Sequence, residues 1–140
     1  GIELLLGPYS SSLTGAAAEI VNHTGRVLVA PASSSTSVYR DRPQVFGTLT
    51  PSSKFLLGAM RVVGKADGGS RKTLAYIQED LSWSRGVCSQ VSNLASLNNL
   101  DLVQNVTVPG DASSEEVRTA VQQLVNVKAD VLVGCVYRNV

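Results

Sequence analysis

The chain has 140 residues, the length of one ordinary domain, and its 44% hydrophobic and 16% charged content fits a folded globular chain and excludes a disordered one. Twelve basic residues face eleven acidic ones for a net charge of +1, and no Lys/Arg cluster is interleaved with aromatics, which argues against nucleic acid as a partner. No apolar run approaches the roughly 18 residues that span a bilayer, and no leader-like succession of charged, apolar and small residues stands at the start.

Ile2–Leu6 predicts a buried strand, stopped by Gly7-Pro8, that opens onto Ser10-Ser11-Ser12 at the head of a helix. Unpaired backbone N–H groups, hydroxyls and the helix dipole converge at such a junction, so it suits a carboxylate or another small anion. The helix should bury Leu13, Ala16, Ala17, Ile20 and Val21 and stop at Asn22-His23-Thr24-Gly25. Arg26–Ala30 is a second strand, ending at Pro31 and followed by a second hydroxyl-rich turn, Ala32–Ser37. Strand ends of a parallel sheet share one edge, so the two serine loops should face one cleft.

Val45–Leu49 reads as a short extended piece. Thr50-Pro51 reads as the start of a helix to about Gly64, with Phe55, Ala59, Val62 and Val63 inward. Lys65–Lys72 is the most polar stretch and the expected boundary, with residues 1–67 before it, a crossing at 68–72, and residues 73–140 after it. Beyond it come strand Thr73–Ile77, a loop carrying Trp83, and a helix from about Ser84 with Val87, Val91 and Leu94 inward. Strand Leu100–Val106 follows, then a helix opened by the capping box Ser113-x-x-Glu116 with Val117, Ala120, Val121 and Leu124 inward, and strand Asp130–Val136. Five strands alternating with helices predict an α/β fold of parallel sheets flanked by helices. Gly1 abuts a strand expected to be buried and Val140 ends just after another, so the chain is expected to be part of a longer protein.

The inventory for catalysis is poor. The one histidine, His23, lies in a helix-ending turn. No GxSxG elbow, GxGxxG, phosphate loop or HExxH occurs, and the carboxylate pairs Glu79-Asp80 and Glu115-Glu116 are adjacent residues that do not face each other on a helix. No enzyme activity, metal or cofactor is therefore expected. Cys88 and Cys135 match no metal spacing and are expected to be buried free thiols, with a disulfide as the alternative in an oxidising compartment. Asn22-His23-Thr24 and Asn105-Val106-Thr107 match the glycosylation acceptor, at a frequency little above chance. One serine loop alone is a common surface turn. Two of them, each ending a consecutive strand, shift the reading to a small-molecule site, with Trp83 and, less directly, Tyr137 as aromatic walls.

The succession LLGPYSSSLTGAAAEIV, RVLVAPASSSTSVY, VFGTLTPSSKFLLGAM, TLAYIQEDLSWSRGV and ADVLVGCVY resembles the type I periplasmic-binding-protein fold over essentially the whole chain. It is similar to its amino-acid-binding branch, which holds leucine/isoleucine/valine-binding proteins and the ligand-binding regions of family C receptors. The resemblance implies parts of two Rossmann-like lobes that close on a ligand. It places a carboxylate-binding hydroxyl and N–H at Ser11, and a carbonyl and hydroxyl for ammonium and carboxylate at Ala32 and Ser34. From the second lobe it implies a closing aromatic at Trp83, where tyrosine is usual, and another at Tyr137, with the acidic ammonium partner beyond Val140. The expected function is an extracellular amino-acid-sensing region, whose full-length protein is membrane-anchored and dimeric through its first lobe. The alternatives are a soluble carrier of an amino-acid transporter and, behind both, an α/β enzyme domain. The implied location is the extracellular side of the plasma membrane or the periplasm.

Overall fold

The computed structural model describes residues 1–137. Two separate parallel sheets are present, each of three strands. The first has the order β1 (Leu4–Leu6), β2 (Val27–Ala30), β3 (Val45–Gly47), with Leu5 opposite Leu28 and Val29 opposite Phe46. The second has the order β5 (Leu100–Val108), β4 (Lys72–Glu79), β6 (Val131–Cys135), so β4 is central and is buried along its length at Leu74, Ala75 and Ile77. The helices are α1 (Ser11–Thr24), α2 (Leu57–Lys65), α3 (Ser82–Cys88), α4 (Val91–Leu97) and α5 (Ser114–Val127). The parallel α/β architecture is the one the strand-helix alternation predicts, and the extended piece at Val45 joins the first sheet as its third strand.

Several expected faces differ. Strand β1 is not buried: it is an edge strand paired only with β2, and Leu4 and Leu6 are exposed while Leu5 alone packs inward. Helix α1 turns Ser11, Thr14, Ala18 and Val21 to the sheet and leaves Leu13 and Ile20 outside. At the first turn the single Thr14 hydroxyl proton is shared between the carbonyls of Ser10 (2.7 Å) and Pro8 (3.1 Å), which lets this polar side chain be buried. Small residues then face the sheet, and α1 comes close to it. The segment after Thr50 begins as a single 3-10 turn, Ser52–Lys54, and becomes α-helical only at Leu57. Its inward residues are Leu56, Leu57, Met60 and Val63, whereas Phe55, Ala59 and Val62 are exposed. Met60 packs with Leu74, Val87, Val91 and Leu94, so α2 covers the second sheet.

The second sheet is covered on both faces, by α2, α3 and α4 on one side and by α5 on the other. Val87, Val91 and Leu94 are buried as their spacing predicts, although the helix is broken at Ser89 and Gln90 into α3 and α4. The capping box is formed: Ser113 Oγ accepts from Glu116 N–H at 3.3 Å, and the Glu116 carboxylate accepts from Ser113 N–H at 2.7 Å. Val117, Ala120 and Leu124 are buried beneath it, while Val121 turns to solvent. The cysteines are not free thiols. Cys88, the last residue of α3, lies 6.1 Å (Cα to Cα) from Cys135, the last of β6, and the two form a disulfide. Packing α3 over the C-terminal end of β6 brings two buried sulfurs within bridging range across 47 residues of sequence, a proximity that spacing alone does not carry.

Candidate functional site

The loops after β1 and β2 are stitched together by serine. Ser10 caps α1, accepting from Leu13 N–H, and does so at a φ of 84°, a backbone state unusual for any residue but glycine. Its own N–H donates to the carbonyl of Ala32 at 3.1 Å. The buried Ser11 hydroxyl accepts from Ser33 Oγ at 3.3 Å and from Ser35 N–H at 3.2 Å, and the Ser34 carbonyl accepts from Ser52 N–H at 2.8 Å. Ser33, Ser34, Ser35 and Ser52 are all buried. Buried hydroxyls are costly unless bonded; those of Ser11 and Ser33, with the backbone bonds of Ser10, Ser34, Ser35 and Ser52, join the two loops into one shelf.

Helix α3 of the second sheet sits against that shelf. Ser82 O–H donates to Ser35 Oγ at 3.0 Å, Ser35 O–H reaches the Ser82 carbonyl at 3.1 Å, and Ser37 Oγ lies 2.9 Å from Ser35 Oγ and 3.0 Å from Ser82 Oγ. Gly86 makes the approach possible, because a Cβ there would overlap Ser52 Oγ. Two hydroxyls in this region, Ser52 Oγ and Ser84 Oγ, are buried without a hydrogen-bond partner.

The aromatic groups gather on a neighbouring side of α3. Trp83 does not lie in a loop; it stands in the first turn of α3, with Phe55 edge-on at 6.3 Å and Tyr137 tilted against it at 4.7 Å. The N–H of Tyr137 donates to the buried Glu79 carboxylate at 2.7 Å. Burial of the phenol, then the nearby Tyr9 and Glu79, holds the Tyr137 hydroxyl above its ordinary pKa, so the ring is neutral at physiological pH.

Of the residues singled out by resemblance, Trp83 and Tyr137 are brought into contact, and Ser11 is joined to the second serine loop. The Ala32 carbonyl is engaged by Ser10, and Ser34 faces a small cavity of about 250 Å³ shared with Tyr39, Val45, Leu49 and Pro51. Asn22 and Asn105 are both exposed, on α1 and β5. His23 is exposed beside Glu19 at 3.4 Å. Among the described residues no group of three or more His, Cys, Asp or Glu side chains could hold a metal ion. The sequence reading placed Ser35 and Ser37 in the second serine loop but missed Ser82 and took Phe55 for core; both contacts depend on where α3 is seated, which no local pattern carries.

The sequence profile of the periplasmic binding protein family matches residues 1–139, and the chain belongs to that family. A comparison with curated protein sequences finds no match. Among solved structures, a periplasmic binding protein from Burkholderia mallei superposes with a TM-score of 0.79 at 16% identity, over 98% of this chain and 36% of that one. A substrate-binding protein of an ABC transporter from Desulfitobacterium hafniense, in complex with Leu, gives 0.70 at 15% identity over 96% and 39%. A solute-binding protein from Rhodopseudomonas palustris, in complex with 3,4-dihydroxybenzoic acid, gives 0.77 at 13% identity over 95% and 35%. This chain thus spans under two fifths of the length of these neighbours, at 39%, 36% and 35%, and at such identities they share its fold.

Proposed function

We propose that the intact protein binds a small organic carboxylate, an α-amino acid, between two lobes built on the two sheets. The observation that carries this reading is the meeting of the Ser10–Ser12 and Ala32–Ser35 loops with α3, whose Trp83 pairs with Tyr137. Hydroxyls and backbone N–H groups suit a carboxylate, and an aromatic wall from the other lobe excludes water and strengthens those bonds. Leucine and 3,4-dihydroxybenzoic acid, named with two of the neighbours, share only the carboxylate, which agrees with the serine shelf as the common anchor. Ser11, Ala32 and Ser34 are assigned to the ligand head group, and Trp83 and Tyr137 to its side chain.

On this reading the lobes follow the sheets; the expected crossing at residues 68–72 is the first candidate, and the packing of α2 on the second sheet supports an earlier one near Thr48–Pro51. A carrier serving a transporter is the setting the neighbours favour; a receptor's sensing region is the second. The Cys88–Cys135 bridge supports an oxidising compartment, the periplasm or the extracellular side.

Titration calorimetry of the intact protein with the common amino acids, and with benzoate as the competing class, tests this. One amino acid should bind, with Ser34→Ala weakening it by about 1–3 kcal/mol through a lost charge-assisted bond. Heat from benzoate alone would move the assignment to aromatic acids, and silence from both classes would end it.

A further inference from the structure

We propose that the cleft between the Ser35–Ser37 turn and the outer face of α3 is a second binding site, for a small oxyanion, distinct from the Trp83 and Tyr137 wall. The cleft has a volume of about 510 Å³, within the range of small-molecule sites. Arg40 lines it from the first sheet's unit and Arg85 from the second's, together with Ser35, Ser37, Ser82 and Ser89. No carboxylate lines it. On α3, Ser82 and Arg85, three residues apart, share one face, from which Trp83 is turned by about 100° or more, and Ser89 follows at the helix's C-cap.

The charge balance carries the argument. Both guanidinium groups are charged at any physiological pH and offer five N–H donors each in a planar fork suited to carboxylate or phosphate oxygens. Arg85 pairs Nη1 with Asp80 at 2.8 Å and keeps its other donors; Arg40 is exposed, and no ion pair of it is present among the described residues. Asp80 offsets one of the two positive charges, and the unpaired Arg40 leaves the cleft a net attraction for an anion.

The hydroxyls add directional donors. Ser35, Ser37 and Ser82 share three protons among four close oxygen contacts, so turning one O–H toward an acceptor in the cleft exchanges an internal contact for the new bond. The buried Ser35 fixes the floor of the cleft on which such an acceptor would rest.

An oxyanion here touches both sheet units at once, through Arg40 and Arg85, and so holds the serine turn against α3. On the two-lobe reading it favours the closed arrangement and thereby tightens solute binding; the anion site itself stands without that reading.

Calorimetry of the intact protein with inorganic phosphate and with glycerol 3-phosphate, at constant ionic strength, tests it. Arg40→Gln and Arg85→Gln should each weaken phosphate binding about tenfold or more, and Arg118→Gln, on the remote face of α5, should leave it unchanged. Circular dichroism confirms that each variant is folded. Tighter binding of the ester than of the free ion identifies an organic phosphate as the natural class, and equal affinities identify the free oxyanion. Absence of binding by either probe, or affinities in Arg40→Gln and Arg85→Gln equal to those of the unaltered protein, overturns the proposal. Loss of amino-acid binding with phosphate binding retained overturns only the proposed function.

Discussion

The two sheets have equal strand number and parallel order, yet they are built for different tasks. Strands of the first are three, four and three residues long, and those of the second eight, nine and five. The first sheet's core is Ala18, Val21, Leu28, Val38 and Val45, whereas the second is sandwiched between two clusters that include Met60, Leu74, Val91, Leu94, Val117 and Leu124. Buried polar side chains distribute the other way: Ser11, Thr14, Ser33, Ser34 and Ser35 lie with the first sheet, Glu79 and Ser84 with the second, and Ser52 lies between them. Burying apolar surface stabilises by roughly 25 cal/mol per Å², whereas a buried hydroxyl returns little net stability even when bonded. The second unit is therefore the scaffold, and the first presents a serine shelf whose geometry is held by hydrogen bonds.

The disulfide gives the largest test of that contrast, because it lies wholly within the scaffold. Replacing Cys88 and Cys135 by serine, or reducing the bridge, is expected to cost about 2–4 kcal/mol of stability, since a cross-link closing a long loop restricts the unfolded chain. Denaturant unfolding with and without reductant measures it. Because the bridge ties α3 to β6, the same change should also loosen Trp83 against Tyr137 and alter tryptophan fluorescence. Equal unfolding midpoints in the two conditions would mean that the scaffold does not depend on its cross-link.

A smaller effect is expected where the two units touch. Gly86→Ala drives a methyl group into Ser52 Oγ and should destabilise by about 1–3 kcal/mol, as overpacking does. Gly15→Ala is its control: it adds the same methyl in open space within α1 and should stabilise by about 0.4–1 kcal/mol. If both variants behave alike, α3 is not seated on the serine shelf in solution.

What the sequence disclosed follows the same division. Features resting on local chemistry were legible: the Ser113-x-x-Glu116 box, the stop at Gly25, which is in the left-handed state at φ 67°, and the period that buries Val87, Val91 and Leu94. Features set by packing between distant segments were not. Leu13 and Ile20 look like core because they are apolar at helical spacing, yet α1 packs through Ser11, Thr14, Ala18 and Val21 and leaves them facing outward. Cys88 and Cys135 carry no recognisable spacing because their meeting depends on how α3 crosses β6. Trp83 reads as a loop residue because Ser84 is a good helix-start residue while the observed cap, Leu81, is not one and makes no side-chain hydrogen bond. At the candidate site the serine loops were visible as composition, and their partner Ser82 was visible only once α3 was in place.

Acid titration gives the smallest effect and separates the units by charge. The scaffold holds three carboxylates below their ordinary pKa values. Asp130 is lowered chiefly by the N–H and hydroxyl of Thr73, both at 2.7 Å, Asp101 by its hydrogen bonds with Arg71, and Glu116 by the N–H of Ser113. The first unit holds one, Glu19, lowered by Arg42. A carboxyl whose folded pKa is depressed stabilises the fold fully above its unfolded value, 3.8 for Asp130, and that contribution is lost as pH falls through the lower folded value. All four groups are solvent-exposed, so each loss is small and is screened by salt. Denaturant midpoints should therefore hold from about pH 7 down to about pH 5 and fall below it, and Asp130→Asn should flatten that fall without changing the sheet order. Because Asp130 leads into β6 and Thr73 lies in β4, the pair joins the two strands at the end opposite the disulfide. An acid response unchanged in Asp130→Asn would place the sensitivity on the Arg71 and Ser113 contacts or in the first unit, and Asp101→Asn compared with a Glu19→Gln variant decides between the units.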